Sequence, residues 1–116
     1  MTTNEFLRLT RKEYTDRHGK KRLELRPRIV CKDGYSISIQ AGDGYYCEPD
    51  NDMASYYYKI ELGFPNQVDS LITEYANNPN KLLFTAYSYV PVRIVDQLLE
   101  KHGGIAKLEN GGKRLW

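Results

Sequence analysis

The run RIVCKDGYSISIQAGDGYYCEP, residues 28–49, constrains the fold more than any other part of the chain. Ile29–Cys31 is a short β-prone segment. Lys32-Asp33-Gly34 is turn chemistry, because Asp-Gly supplies the positive-φ conformations that a tight hairpin needs. From Tyr35 to Ala41 the residues alternate with period two. Tyr35, Ile37, Ile39 and Ala41 share one side, and Ser36, Ser38 and Gln40 share the other. Gly42 and Gly44 then lead into Tyr45-Tyr46-Cys47-Glu48-Pro49. The stretch predicts a hairpin with an apolar face, a hydroxyl- and amide-bearing face, and an aromatic loop at its rim.

The flanks predict one sheet and two helices. Residues 5–26 read as a second hairpin or a mobile arm, with Phe6–Leu9 and Arg22–Leu25 alternating about an Asp16-Arg17-His18-Gly19 turn. Pro27 interrupts what precedes the central hairpin. Tyr56–Phe64 reads as a strand with Tyr56, Tyr58, Ile60 and Leu62 on one face and Tyr57, Lys59 and Glu61 on the other. Pro65-Asn66 opens a helix, with Asn66 as N-cap, Asp69 in the first turn, and Val68, Leu71, Ile72 and Tyr75 at helical spacing. Leu82–Val90 is a further strand. Pro91 starts a second helix with a Val92, Val95, Leu98, Leu99 stripe, closed by Lys101-His102-Gly103-Gly104. Ile105–Trp116 reads as a tail, with Ile105, Leu108, Leu115 and Trp116 available to pack and Gly111-Gly112 favouring mobility. The expected fold is α+β, a small antiparallel or mixed sheet with two helices on one face. The expected division is a basic hairpin or arm at 1–26, a core domain at 27–105 and a tail at 106–116.

With 116 residues and 41% hydrophobic content, the chain can bury one core. No run approaches the ~18 apolar residues of a membrane span. The N-terminus lacks the layout of a secretory signal, so a cytoplasmic chain is expected. Net charge is +2, but residues 1–28 hold nine Lys/Arg against four acids, leaving a basic segment on a mildly acidic remainder. Such a segment suits phosphates or an acidic partner.

Two helices cover one face of a sheet, so the other face is the expected binding surface. It would present Ser36, Ser38, Gln40, Tyr57, Lys59, Tyr87 and Tyr89, with Tyr45, Tyr46 and Cys47 on the adjacent loop. Aromatic rings with hydroxyl and amide groups suit a flat ligand such as a nucleobase, or a protein partner. The alternative site is the basic segment, with Arg8, Arg11, Lys12, Lys20, Lys21 and Arg22 as nucleic-acid contacts. Cys31 and Cys47 have no metal-ligand spacing and read as reduced thiols. Cys47 as a nucleophile would need His102 or His18 as base, and nothing in the sequence brings them together. His102 reads as a helix-terminal cation. Asp43, Glu48, Asp50 and Asp52 lack calcium-loop spacing and read as a solvated charge run. Neither a cofactor nor a metal site is expected, and the reading leans away from catalysis.

The words Pro27-Arg28-Ile29-Val30-Cys31-x-Asp33-Gly34-Tyr35-Ser36, Ser38-Ile39-Gln40-Ala41 and Tyr46-Cys47-x-Pro49 resemble a family of small bacteriophage- and prophage-encoded proteins. The same family carries Glu61–Pro65 (ELGFP) and the pattern from Tyr89 to Ile105 (YVPV…LLEKHGGI). The resemblance covers about residues 26–105. It implies phage origin and a host bacterial cytoplasm more than a chemistry, since the family is largely without assigned function. Asp50 departs from the family, where an Arg follows Tyr-Cys-x-Pro; Lys59 or Arg93 would have to replace its charge. Together these features lead to the expectation of a non-enzymatic accessory protein. It would counter host defence by binding an effector protein or by sequestering a nucleotide signal, as a monomer or homo-oligomer.

Overall fold

The computed structural model describes residues 1–109 and shows an α+β fold. Chain order is α1 (Thr3–Leu9), β1 (Glu13–Thr15), β2 (Lys21–Leu23), β3 (Arg28–Cys31), β4 (Ser36–Gln40), β5 (Lys59–Gly63), a 3₁₀ turn (Thr73–Tyr75), β6 (Ala86–Pro91), α2 (Val92–Lys101) and β7 (Ile105–Glu109). The main sheet is antiparallel, in the order β6-β5-β4-β3-β7, and β1 and β2 form a separate ribbon. α1 packs on α2, and α2 lies against β5 and β6. The core joins Phe6, Leu7, Val95, Leu98 and Leu99 of the helices to Ile29, Ile37, Ile39, Ile60 and Leu62 of the sheet.

The central hairpin forms as predicted. Ile29 opposes Ile37 and Val30 opposes Ser36, and Gly34 takes φ +93° in the turn. α2 also forms as predicted, opened by Pro91, with Val95, Leu98 and Leu99 buried. The Asp16–Gly19 turn is present: Asp16 accepts from the amides of His18 and Lys20, and Gly19 sits at φ +76°.

Four elements differ from the sequence expectation. Phe6–Leu9 is helical, not extended. Thr2 accepts from Glu5 N while Glu5 accepts from Thr2 N, a reciprocal cap that starts a helix. Thr3, Phe6 and Leu7 then fall on one buried face. Residues 66–77 do not form an α-helix. Asn66 spends its side chain on the central hairpin instead, accepting from Ser36 N at 2.8 Å and donating to Gly34 O at 2.9 Å. β6 begins at Ala86, not Leu82. Residues 105–109 are a strand on β3 and not part of a tail. The core therefore reaches past 27–105 at both ends. The expected packing of Leu115 and Trp116, and the mobility assigned to Gly111-Gly112, concern positions outside the described residues.

Candidate functional site

The sheet face expected to be open is filled. All five residues of β4 are buried, including Ser36, Ser38 and Gln40. The chain's own polar groups use them. Arg28 reaches across β4, donating to Ser36 Oγ at 2.9 Å and to Phe64 O at 2.6 Å. Gln40 acts as a piece of strand edge: Oε1 accepts from Arg26 N at 3.1 Å, and Nε2 donates to Arg26 O at 3.0 Å and to Ser38 Oγ at 3.1 Å. The alternation called these residues outward because period two reports two faces and not what covers each of them. The phase before β5 is also inverted. Tyr57 is buried, its N bonded to Asn4 Oδ1 and its hydroxyl to Asn51 O, while Tyr56 and Tyr58 point outward. Tyr87 is buried, its hydroxyl donating to Leu82 O at 2.6 Å.

Cys47 is buried inside its loop. Its sulfur accepts from Gly42 N and lies 3.3 Å from Gly42 O. Burial pushes its thiol up, and pushes Cys31 up to about 11, so both stay protonated and unreactive at neutral pH. His102 has no free nitrogen to offer a thiol. Nδ1 lies 2.6 Å from Asp33 Oδ2 and Nε2 lies 2.7 Å from Asp69 Oδ2. His18 sits on the β1–β2 turn against Arg17. The loop acids are structural too: Asp52 accepts from Asp43 N and Asp50 from Gly44 N. Gly42 fits because a Cβ there would lie 2.7 Å from Asp52 Oδ1.

What remains exposed is a rim of tyrosines. Tyr46 and Tyr89 are 48% and 44% exposed, with ring centroids 6.0 Å apart. Tyr89 N donates to Tyr46 O, and Tyr46 N donates to Glu61 Oε1. Tyr89 holds φ +53°, a left-handed conformation that costs a bulky residue on the order of 1 kcal/mol. Tyr56 and Tyr58, 45% and 65% exposed, form a second pair at 5.0 Å in edge geometry. Glu48 joins the pairs. It follows Tyr46 by two residues, its carbonyl accepts from Tyr58 N, and its carboxylate meets Lys59 Nζ at 3.1 Å. Of the ten residues named from sequence, Tyr46, Lys59 and Tyr89 meet here, and Tyr45 lies half-buried against the core. Ser36, Ser38, Gln40, Cys47, Tyr57 and Tyr87 do not reach the surface. Sequence reasoning missed Tyr56 and Tyr58. Asn4 and Asn51, which bond Tyr57 and so set the phase of the triple-tyrosine run, are the signal that was available.

Comparison with protein-family models, curated proteins and solved structures gave no match.

The basic segment divides in two. Arg11 is tied to the body, donating to Ala54 O at 2.7 Å, and Arg22 pairs with Asp16 at 2.7 Å, which holds the Asp16 carboxyl below its usual range. Lys12, Lys20 and Lys21 are exposed and meet no carboxylate among the described residues. Tyr14, opposite Arg22 in the ribbon, is exposed beside them.

Proposed function

We propose that the chain is a non-catalytic binding protein of phage origin that counters host defence by contacting an effector protein through the tyrosine rim. The observation that carries this reading is the two contacting pairs of exposed tyrosines joined through Glu48 and Lys59. Tyrosine brings large contact area and a polar tip at small entropic cost, and it is over-represented at the centres of protein interfaces. A nucleotide-sequestering role finds less support, because the serines and glutamine expected to read a base are bonded inside the fold. Affinity capture from a phage-sensitive host, comparing the native chain with Tyr46→Ala/Tyr58→Ala, tests it. The expected result is a protein retained by the native chain and lost from the variant at unchanged melting temperature. Identical retention by both removes the rim as the contact surface.

A second reading is favoured by the unpaired Lys12, Lys20 and Lys21 beside Tyr14: nucleic-acid contact through the β1–β2 ribbon. Binding would weaken steeply with salt, and Lys20→Glu/Lys21→Glu would abolish it. Retention of DNA or RNA unchanged by that variant excludes the ribbon.

A further inference from the structure

The two edges of the main sheet are finished differently. The β6 edge is occupied: Asn77 N donates to Ala86 O, Ala76 bridges Tyr87, and Tyr89 N donates to Tyr46 O. Along the outer edge of β7, among the described residues, no backbone group pairs. A row of unpaired N–H and C=O groups is a template for another strand. Beside it lies a groove of about 220 Å³ lined in part by Leu9, Leu25, Pro27 and Leu108. Leu9 is 64% exposed and Leu108 46%.

We propose that this edge binds a second copy of the chain, through two-fold antiparallel pairing of β7 with β7 centred on Leu108. The charges select both the partner and the register. Directly opposed residues in an antiparallel pair share a face, so the two-fold axis must pass through one residue and its own copy. Centred on Lys107, two ammonium groups oppose each other, which destabilises the pair. Centred on Ala106, each Lys107 opposes Ile105 and gains no charge partner. Centred on Leu108, each Lys107 faces Glu109 of the other copy, twice, and Leu108 faces Leu108. The ladder to β3 already sorts these side chains. Leu108 opposes Ile29 and so lies on the core side, next to the groove. Lys107 and Glu109 oppose Val30 and Arg28 on the reverse side. Apolar contact and ion pairs therefore occupy opposite faces of the new seam. The two five-stranded sheets become one continuous sheet, and the tyrosine rim, carried by the β5–β6 end, is left free.

Light scattering on the full chain across the micromolar range tests this, and twice the chain mass is expected. Lys107→Glu places two like-charged pairs across the seam and should raise the dissociation constant about tenfold or more. Glu109→Lys should do the same. An equimolar mixture of the two variants restores both opposite-charge pairs and should re-form the dimer. Lys107 lies opposite Val30 whereas Glu109 lies opposite Arg28, so Lys107→Glu carries the test if Glu109→Lys does not fold. A monomer at every concentration overturns the proposal. So does a dimer indifferent to Lys107→Glu, or two folded variants that fail to recombine.

Discussion

At the scale of single residues, His102 is held on three sides. Its ring stacks on Tyr35 at 3.9 Å and 8°, and each nitrogen meets a carboxylate. Lys101 adds a cation at 3.1 Å from Asp69. The clamp ties the β3–β4 turn, the end of α2 and the loop after β5 at one point. The Asp33 carboxyl is lowered by the bond from Tyr35 N and then by His102. Burial raises Asp69, but bonds from Leu71 N, His102 and Lys101 outweigh it and the carboxyl is lowered. Both folded values lie below the unfolded one. Their contribution is therefore complete above the unfolded pKa of about 3.9 and is lost as pH falls through the folded values. His102→Phe keeps a stacking ring and removes both ring nitrogens. It should cost about 2 kcal/mol at pH 7, because Asp69 stays buried with one partner removed while Lys101 and Leu71 N remain. It should also flatten the loss of stability below pH ~4. Denaturant unfolding at a series of pH values checks both, and an unchanged acid limb would contradict the clamp.

At the scale of elements, a buried arginine connects α1 to the sheet. Arg26 is 2% exposed and meets no carboxylate among the described residues; Nε and Nη2 donate to Leu7 O, and Nη1 donates to Ala41 O at 2.6 Å. It places a cation against the last turn of α1, where carbonyls lack helical partners. Burial pulls its pKa down, yet the planar fork reaches two carbonyls that an ammonium cannot serve together. Arg26→Lys should destabilise by about 1–2 kcal/mol in a chemical denaturation curve, and an unchanged midpoint would show that the fork is dispensable. This contact also marks how far the sequence could be read. The central hairpin, its Asp-Gly turn and α2 were legible because local period, turn chemistry and caps agree there. α1 was not, because the Thr2–Glu5 cap competes with an alternating FLRL run and is decided by burial of Phe6 and Leu7. The helix expected at 66–77 had spacing and an N-cap in its favour, but Asn66 and Asp69 are bonded to residues over 30 positions away. The open binding face failed for the same reason. Arg26 comes from the segment read as an arm and Arg28 from the first position of the central run, and it is they that cover Gln40 and Ser36.

At the scale of the whole molecule, the N-terminal 26 residues are two things with opposite roles. α1 belongs to the core: Thr3 donates to Asp96 through N and Oγ1, Asn4 exchanges bonds with Tyr57, and Phe6 and Leu7 are buried. The β1–β2 ribbon is an appendage, exposed at nearly every position, and its feet already touch, with Glu24 N donating to Lys12 O at 2.7 Å. Removing residues 1–12 should abolish cooperative unfolding, since two large core side chains at roughly 3 kcal/mol each approach the whole stability of a small domain. Replacing residues 13–23 with a short Gly-Ser turn should leave cooperative unfolding intact, because little apolar area is lost. The same excision separates the two functional readings. The rim lies on the β5–β6 end, so capture of a protein should survive it, whereas nucleic-acid retention should vanish with Lys20 and Lys21. Calorimetry and affinity capture on the excised chain decide both points, and a chain that unfolds without its ribbon would make the ribbon part of the core.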